Sequence, residues 1–486
     1  MRHSPSRPQN KRRRAEGMTI TLKALQAKVL DQKTRIPSLY GDVDFSIVPE
    51  RFSTNPQDRT MLPPKYARLH RKELLADHDR VERALAYTML GDSVADAYAA
   101  LMPQYGFRGL IGMLSRSCVY GVEKVPEAPK ELVDFIRSME RRPAWLDMKL
   151  VEEGARYSRN QMAVMVPFAI RGAFIATFMN KYSGLPMALT GALSGQSTEQ
   201  RVKETASFFT TATLPGALER FGTGFHAAAM VRLMHSMVRF NILKRSKAWD
   251  VAVHGIPIPQ IDQMPAGTMP SFLMAYDVIR KGRKHFNRRE RAVVELCRYQ
   301  SYLLGLPEEL LPDSPQGIYD VMVAYTGTLR DGYDDETCGE LIRATMKAYL
   351  PEEKSLKNRI YNEFERSFSK VFFTRVFLQG GTRDKAGIMG IEPSLFDYAK
   401  FGAVSMYVMP QLIANRIVQE VPLLNRVLDY FLVDEINRLL VSYGHPEFAT
   451  DGSKYKEEAM AKRKASAKAQ ARMPLPANPG SGAAHA

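Results

Sequence analysis

Cysteine and tryptophan are scarce, at 3 and 2 in 486 residues. Cys118, Cys297 and Cys338 lie far apart and form no Cys-x-x-Cys pair, which excludes a disulfide framework or a zinc ribbon and fits a reducing compartment. Long apolar runs are also missing. The most apolar window, 162–179, is interrupted by Pro167 and Arg171 and is not read as a membrane span. No apolar stretch follows the basic N-terminus, so no secretory signal is expected. Metal motifs are absent as well. There is no His-Glu-x-x-His, and no histidine stands three residues after a glutamate, which removes the paired sites of helical di-iron proteins. The acidic cluster DGYDDETCGE, 331–340, lacks calcium-loop spacing and reads as a helix cap. Glycines at 222–224 and 380–390 follow no strand signal, so a dinucleotide loop is not expected.

What is present describes a folded globular chain, with 45% hydrophobic and 25% charged residues. Its 25 methionines suit adaptable packing or pocket walls. The net charge of +16 suggests nucleic acid until it is located. Residues 1–17 hold six basic side chains against one acidic, and 451–486 hold seven against three, so more than half of the excess sits at the ends. These segments read as disordered basic tails flanking a single helical domain, 18–450. Nothing in that body resembles a known nucleic-acid module, so no specific nucleic-acid partner is expected. Contact of the tails with RNA, DNA or anionic lipid would be an accessory property. The expected location is cytoplasmic, with peripheral membrane contact left open.

Helix signals dominate and strand signals are few, which predicts an all-α fold. Asn287 and Glu290 form a capping box, as do Ser197 and Gln200, and Ser314-Pro315 opens another helix. Residues 394–421 are apolar at 3–4 spacing, with Pro410 expected to kink the helix.

One helix carries the functional question. On a wheel of about 100° per residue, Ala228, Val231, Val238 and Ile242 share the face of His235, with Arg232 and Arg239 beside it. His226 points to the opposite side. Such a stripe suits a flat, apolar ligand with an anionic edge, and haem has that form: an iron seeking a nitrogen, a greasy macrocycle and two carboxylates that arginine pairs well. The same stripe also suits a buried histidine donating to a backbone carbonyl, with both arginines in solvent. On the following-face argument, Arg201, Thr205, Phe208 and Ala212 align on the preceding helix and could line a pocket.

The stretches RPAWLDMKLVEEGARYSR (142–159), RVKET (201–205), VRLMHSMVR (231–239), AWDVAVHGIPIPQIDQ (248–263) and CRYQSYLLGLPEELLP (297–312) together resemble one family. It is the oxygenases that include latex-clearing protein and the oxygenase of the mycophenolic-acid pathway. The resemblance implies an enlarged globin-like helical fold around a b-type haem, with His235 as the iron ligand and Arg201 and Thr205 near the haem. Arg232 and Arg239 are then expected at the haem carboxylates. Dioxygen and an apolar small molecule, isoprenoid or lipid-like, are the partners implied. Two departures bear on chemistry. Latex-clearing proteins read Arg-x-x-Lys-Thr where this chain has Glu204, its lysine being Lys203, and no acidic residue lies between Lys181 and Thr198 to match the family's glutamate base. The expectation is therefore a haem-dependent oxygenase of a smaller apolar substrate than polyisoprene. The alternatives are a haem- or lipid-binding protein without turnover, and a helical protein acting on nucleic acid through its tails.

Overall fold

The computed structural model describes residues 20–62, 64–189, 195–351, 353–378 and 383–444. Both expected tails, 1–17 and 451–486, lie outside them. Among the described residues there is no strand, only two isolated bridges, Phe52 to Leu329 and Thr60 to Arg330. The predicted all-α class holds.

The helices that position the site are, in chain order, α1 (Ser93–Ala99), α2 (Lys130–Glu140), α3 (Met148–Val164), α4 (Val166–Ile175), α5 (Gly195–Thr211) and α6 (Thr223–Arg245). They continue with α7 (Gln260–Arg280), α8 (Arg288–Leu303), α9 (Pro315–Thr328) and α10 (Leu356–Val376). α11 (Leu395–Val418) and α12 (Pro422–Ser442) close the described chain.

α6 is apolar on nearly every side and runs through the middle of the fold, as an all-round apolar helix must. It packs on α1, α5 and α8. Lys244 and Arg245 in its last turn complement the helix dipole. α3 pairs closely with α8, and the approach needs Gly154: a Cβ there would lie 2.1 Å from the Ala292 carbonyl oxygen. α10 packs against α4 and α11, and α12 covers α3 and α5. A main apolar cluster surrounds α6, and a smaller one joins α3, α4 and α10 to the inner faces of α11 and α12.

Local signals mostly gave the helix ends. Asn287 and Glu290 form their reciprocal cap on α8, and Ser314 accepts from the Gly317 amide at 3.1 Å to start α9. Asp334 in the acidic cluster accepts from the Thr337 and Cys338 amides, which makes it the cap it resembled. α5 is helical from Gly195, and the side chain of Ser197 lies outside the described ones. α11 runs through Pro410 as one helix. No single described helix is long and apolar enough to cross a membrane. α3 with the following segment Val166–Phe178 passes by length and composition only as a pair bent by 93°.

Candidate functional site

His235 lies deep in the fold. Burial is the main cause that lowers its imidazole pKa to about 4; the charges of Arg239 and Arg201 push the same way, against the Gln263 hydrogen bond and Asp92. The ring is therefore neutral at physiological pH, the form that ligates a metal. Its Nδ1 donates to Gln263 Oε1 at 2.9 Å, which leaves Nε2 with a free lone pair. A second partner that fixes the tautomer and the ring plane is the usual companion of a ligating histidine. Gln263 comes from the first turn of α7, across from α6.

Although deep, His235 is not fully covered. Val231, His235 and Val238, spaced by four and three, are half-buried, while Arg232, Leu233, Met234, Ser236, Met237 and Arg239 between them are buried. The stripe thus keeps accessible surface although the residues on either side of it are buried. α5 shows the same pattern. Arg201, Thr205 and Phe209 are half-buried at four-residue spacing between buried neighbours. α5 packs on α6, and the Arg201 charge reaches the His235 ring, so the two stripes belong to one region.

The wheels were too broad at their ends. Ala228 and Ile242 are 0% and 3% exposed, and Phe208 and Ala212 face the core where Phe209 was needed. The larger correction concerns the two arginines. Arg232 donates from Nε to Asp92 at 2.5 Å and from Nη2 at 3.0 Å, and its Nη1 donates to Ser138 at 3.0 Å. Arg239 is wholly buried, pairs with Asp96, and donates to the Pro257 and Ile258 carbonyls at 2.9 and 2.5 Å. Both do bind carboxylates, but the chain's own, so neither is free to hold a ligand's acid groups. Their place on the flank of the His235 stripe turned them toward neighbouring segments of the fold.

Their actual work is positioning. Asp92 caps α1 through the Val94 and Ala95 amides, so Arg232 locks α6 to α1 and, through Ser138, to α2. Arg239 clamps the 255–259 loop, where Ile258 holds φ at 47°, a strained value for a β-branched residue. That loop launches α7 and hence sets where Gln263 meets His235.

Among the described residues no group of three or more His, Cys, Asp and Glu side chains could hold a metal. A porphyrin brings four nitrogens of its own and asks the protein for one, so a lone, oriented, neutral imidazole that keeps accessible surface fits haem where it would not fit a bare ion. Around Arg201 the sequence departures are visible. Glu204 is buried, lies 3.6 Å from Arg201 and accepts from Gln200 at 3.0 Å. Lys203 turns away to Glu199 at 2.8 Å. Gln263 was the residue that sequence reasoning missed, although it ends the 248–263 stretch.

Residues 155–351 match the family described as ER-bound oxygenase mpaB/B'/rubber oxygenase, catalytic domain. A curated relative, the rubber oxygenase of Streptomyces sp. (strain K30), is 22% identical over 226 residues, or 46% of this chain and 54% of the relative. The chain thus spans about half the length of that relative. The solved structure of latex clearing protein LCP in the closed state aligns with a TM-score of 0.49 and 16% identity, over 73% of this chain and 91% of that one. Residues 155–351 are thus similar to the mpaB/B' and rubber oxygenase catalytic domain, in line with the sequence resemblance.

Proposed function

We propose that this protein is an oxygenase that holds a b-type haem through His235 and uses dioxygen to oxidise an apolar substrate. The observation that carries the reading is the neutral, Gln263-oriented imidazole that keeps accessible surface on a helix otherwise buried around it. Bound haem supplies an iron centre at which dioxygen is activated. His235 Nε2 provides the protein ligand, and Gln263 holds the ring in the ligating tautomer. Val231, Val238 and Phe209 add half-buried apolar surface on the same stripes, which would favour a lipophilic molecule. Arg201 supplies positive charge and Thr205 a hydroxyl on the neighbouring helix, and both would suit orienting haem.

The family's activity toward rubber transfers poorly. The lysine of the latex-clearing pattern is replaced by Glu204, whose carboxylate offsets the Arg201 charge, and the matching acid before α5 is missing. These losses favour a smaller isoprenoid or lipid-like substrate. They also support a second reading, a haem- or lipid-binding protein without turnover.

A visible spectrum of the purified protein tests the first claim. We expect a Soret band that His235→Ala abolishes or shifts; a band that persists unchanged at full occupancy would remove the assignment. Anaerobic reduction followed by oxygen and candidate isoprenoids then separates the two readings, since only an oxygenase yields an oxygenated product.

A further inference from the structure

The C-terminal helices show one face that no described residue covers. The inner side of α11 buries Val404 and Val408 against the body, as α12 buries Leu432 and Ile436. On the outer side of α11, Ala399, Ala403, Met406, Met409, Ile413 and Ile417 recur every three or four residues, all in solvent and without a charge among them. The helix is about 36 Å long at 1.5 Å per residue. Past the turn at Gln419 to Val421, the apolar surface continues onto α12 with Leu423, Leu424, Val427 and Phe431. Met406, Leu423 and Phe431 are 75%, 76% and 61% exposed. A continuous apolar face of this extent on a soluble surface marks a binding surface.

Charge selects the occupant. Every carboxylate on the two helices and the turn between them has a cationic partner: Asp397 with Lys370, Glu420 with Arg289, Asp429 with Arg159, and Asp434 and Glu435 with Arg438. Arg416 and Arg426, both exposed and beside the apolar turn, have no anionic partner among the described residues. The chain continues beyond α12 into 451–486, with its seven basic residues against three acidic. Uncompensated charge near this face is thus positive. A second copy would bring the same sign against it, whereas an anionic bilayer answers both the apolar face and the cations. Tyr407 and Tyr430 stand exposed among these residues and suit the headgroup level.

We infer that the outer face of α11 and the start of α12 form a peripheral membrane-binding surface, lying in the plane of an anionic bilayer and assisted by Arg416 and Arg426. This is independent of the haem assignment. α12 packs on α5, so the surface shares a neighbour with the helix that carries Arg201 and Thr205.

Co-sedimentation of the full chain with mixed phosphatidylcholine/phosphatidylserine vesicles tests it, with pure phosphatidylcholine vesicles as the neutral arm. We expect binding in the anionic arm that weakens as salt rises. The double variant Met406→Glu/Ile413→Glu should lose at least about tenfold in partitioning, and so should Leu424→Glu/Val427→Glu on the other helix. Arg416→Gln/Arg426→Gln should weaken only the anionic arm. All these positions are exposed, and circular dichroism checks that the variants fold. Absence of binding to the anionic vesicles would overturn the inference. So would binding that both glutamate pairs leave intact, which would assign attachment to the basic segment alone. A lipid-free dimer that the same glutamates dissociate would assign the face to a second copy and equally overturn it.

Discussion

At the residue scale, His235 and its surroundings set two measurable behaviours. The folded imidazole has its pKa lowered to about 4 from an ordinary 6.5, chiefly by burial. Above the ordinary value neither the folded nor the unfolded chain carries the proton. As pH falls from 6.5 toward about 4, the unfolded chain takes up a proton that the folded one refuses. Stability of the haem-free protein therefore declines across that window and levels off below it. Urea midpoints from pH 7 to 4 should show this slope, and His235→Gln should reduce it, a further share coming from His254, whose pKa burial also lowers to about 4. Gln263→Leu removes the acceptor that orients the ring, and we expect about 10- to 100-fold weaker haem binding in a hemin titration. The buried arginines behave differently from each other. Asp92→Asn leaves the Arg232 guanidinium buried without a counter-ion, and a guanidinium cannot shed its proton, so a loss of about 3–5 kcal/mol is expected in urea unfolding. Burial raises the pKa of Asp96 despite Arg239. Arg239→Met should consequently cost less, because the orphaned carboxyl can protonate. Equal losses in the two variants would contradict this account.

At the scale of elements, contact distance decides which glycines matter. Gly154→Ala would force a methyl to within 2.1 Å of the Ala292 carbonyl and drive α3 from α8. We expect about 1–3 kcal/mol of destabilisation by thermal unfolding, the range for overpacking. Gly112 is the control, exposed in the helix Met102–Tyr120 with nothing within 4 Å of an added Cβ. Gly112→Ala should stabilise by up to about 1 kcal/mol, because alanine loses less chain entropy in a helix. The stretches that carried the family resemblance also meet one another here. Arg298 stacks 4.0 Å from the Trp145 ring, and Trp145 donates to Glu308 at 2.9 Å. Arg239 reaches the carbonyls of 257–258, and His235 reaches Gln263. Segments far apart in the chain are parts of a single contact network.

For the whole molecule, the question is whether the C-terminal helices belong to the body. Arg159 of α3 donates to the Thr213 carbonyl at 2.7 Å and to Asp429 of α12 at 2.7 and 2.8 Å. Asn160 donates to the Leu412 carbonyl of α11 at 3.0 Å. Removing both helices would also uncover Ala163, Val164, Ala169 and Phe368. We propose that residues 18–450 fold as one unit. A chain ending at residue 394 should then bind a hydrophobic dye and lose its cooperative unfolding transition; retention of both a sharp transition and a low dye signal would show that the pair is an appendage.

Local pattern was sufficient for some of this. The all-α class, the caps at Asn287 and Ser314, and the helix bearing His235 follow from short-range spacing and hydrogen-bond chemistry, which act within a few residues. Short-range signals could not assign partners across the fold. The wheel placed Arg232 and Arg239 beside His235 correctly, but only the packing of α1 and the 255–259 loop decided that Asp92, Asp96 and two carbonyls would occupy their donors. Gln263 was present in the resembling stretch, yet its role arises from the crossing of α7 over α6. The outer face of α11 read as an apolar helix like any buried one. Whether such a face meets protein or solvent depends on which side the body lies, and tertiary packing alone fixes that.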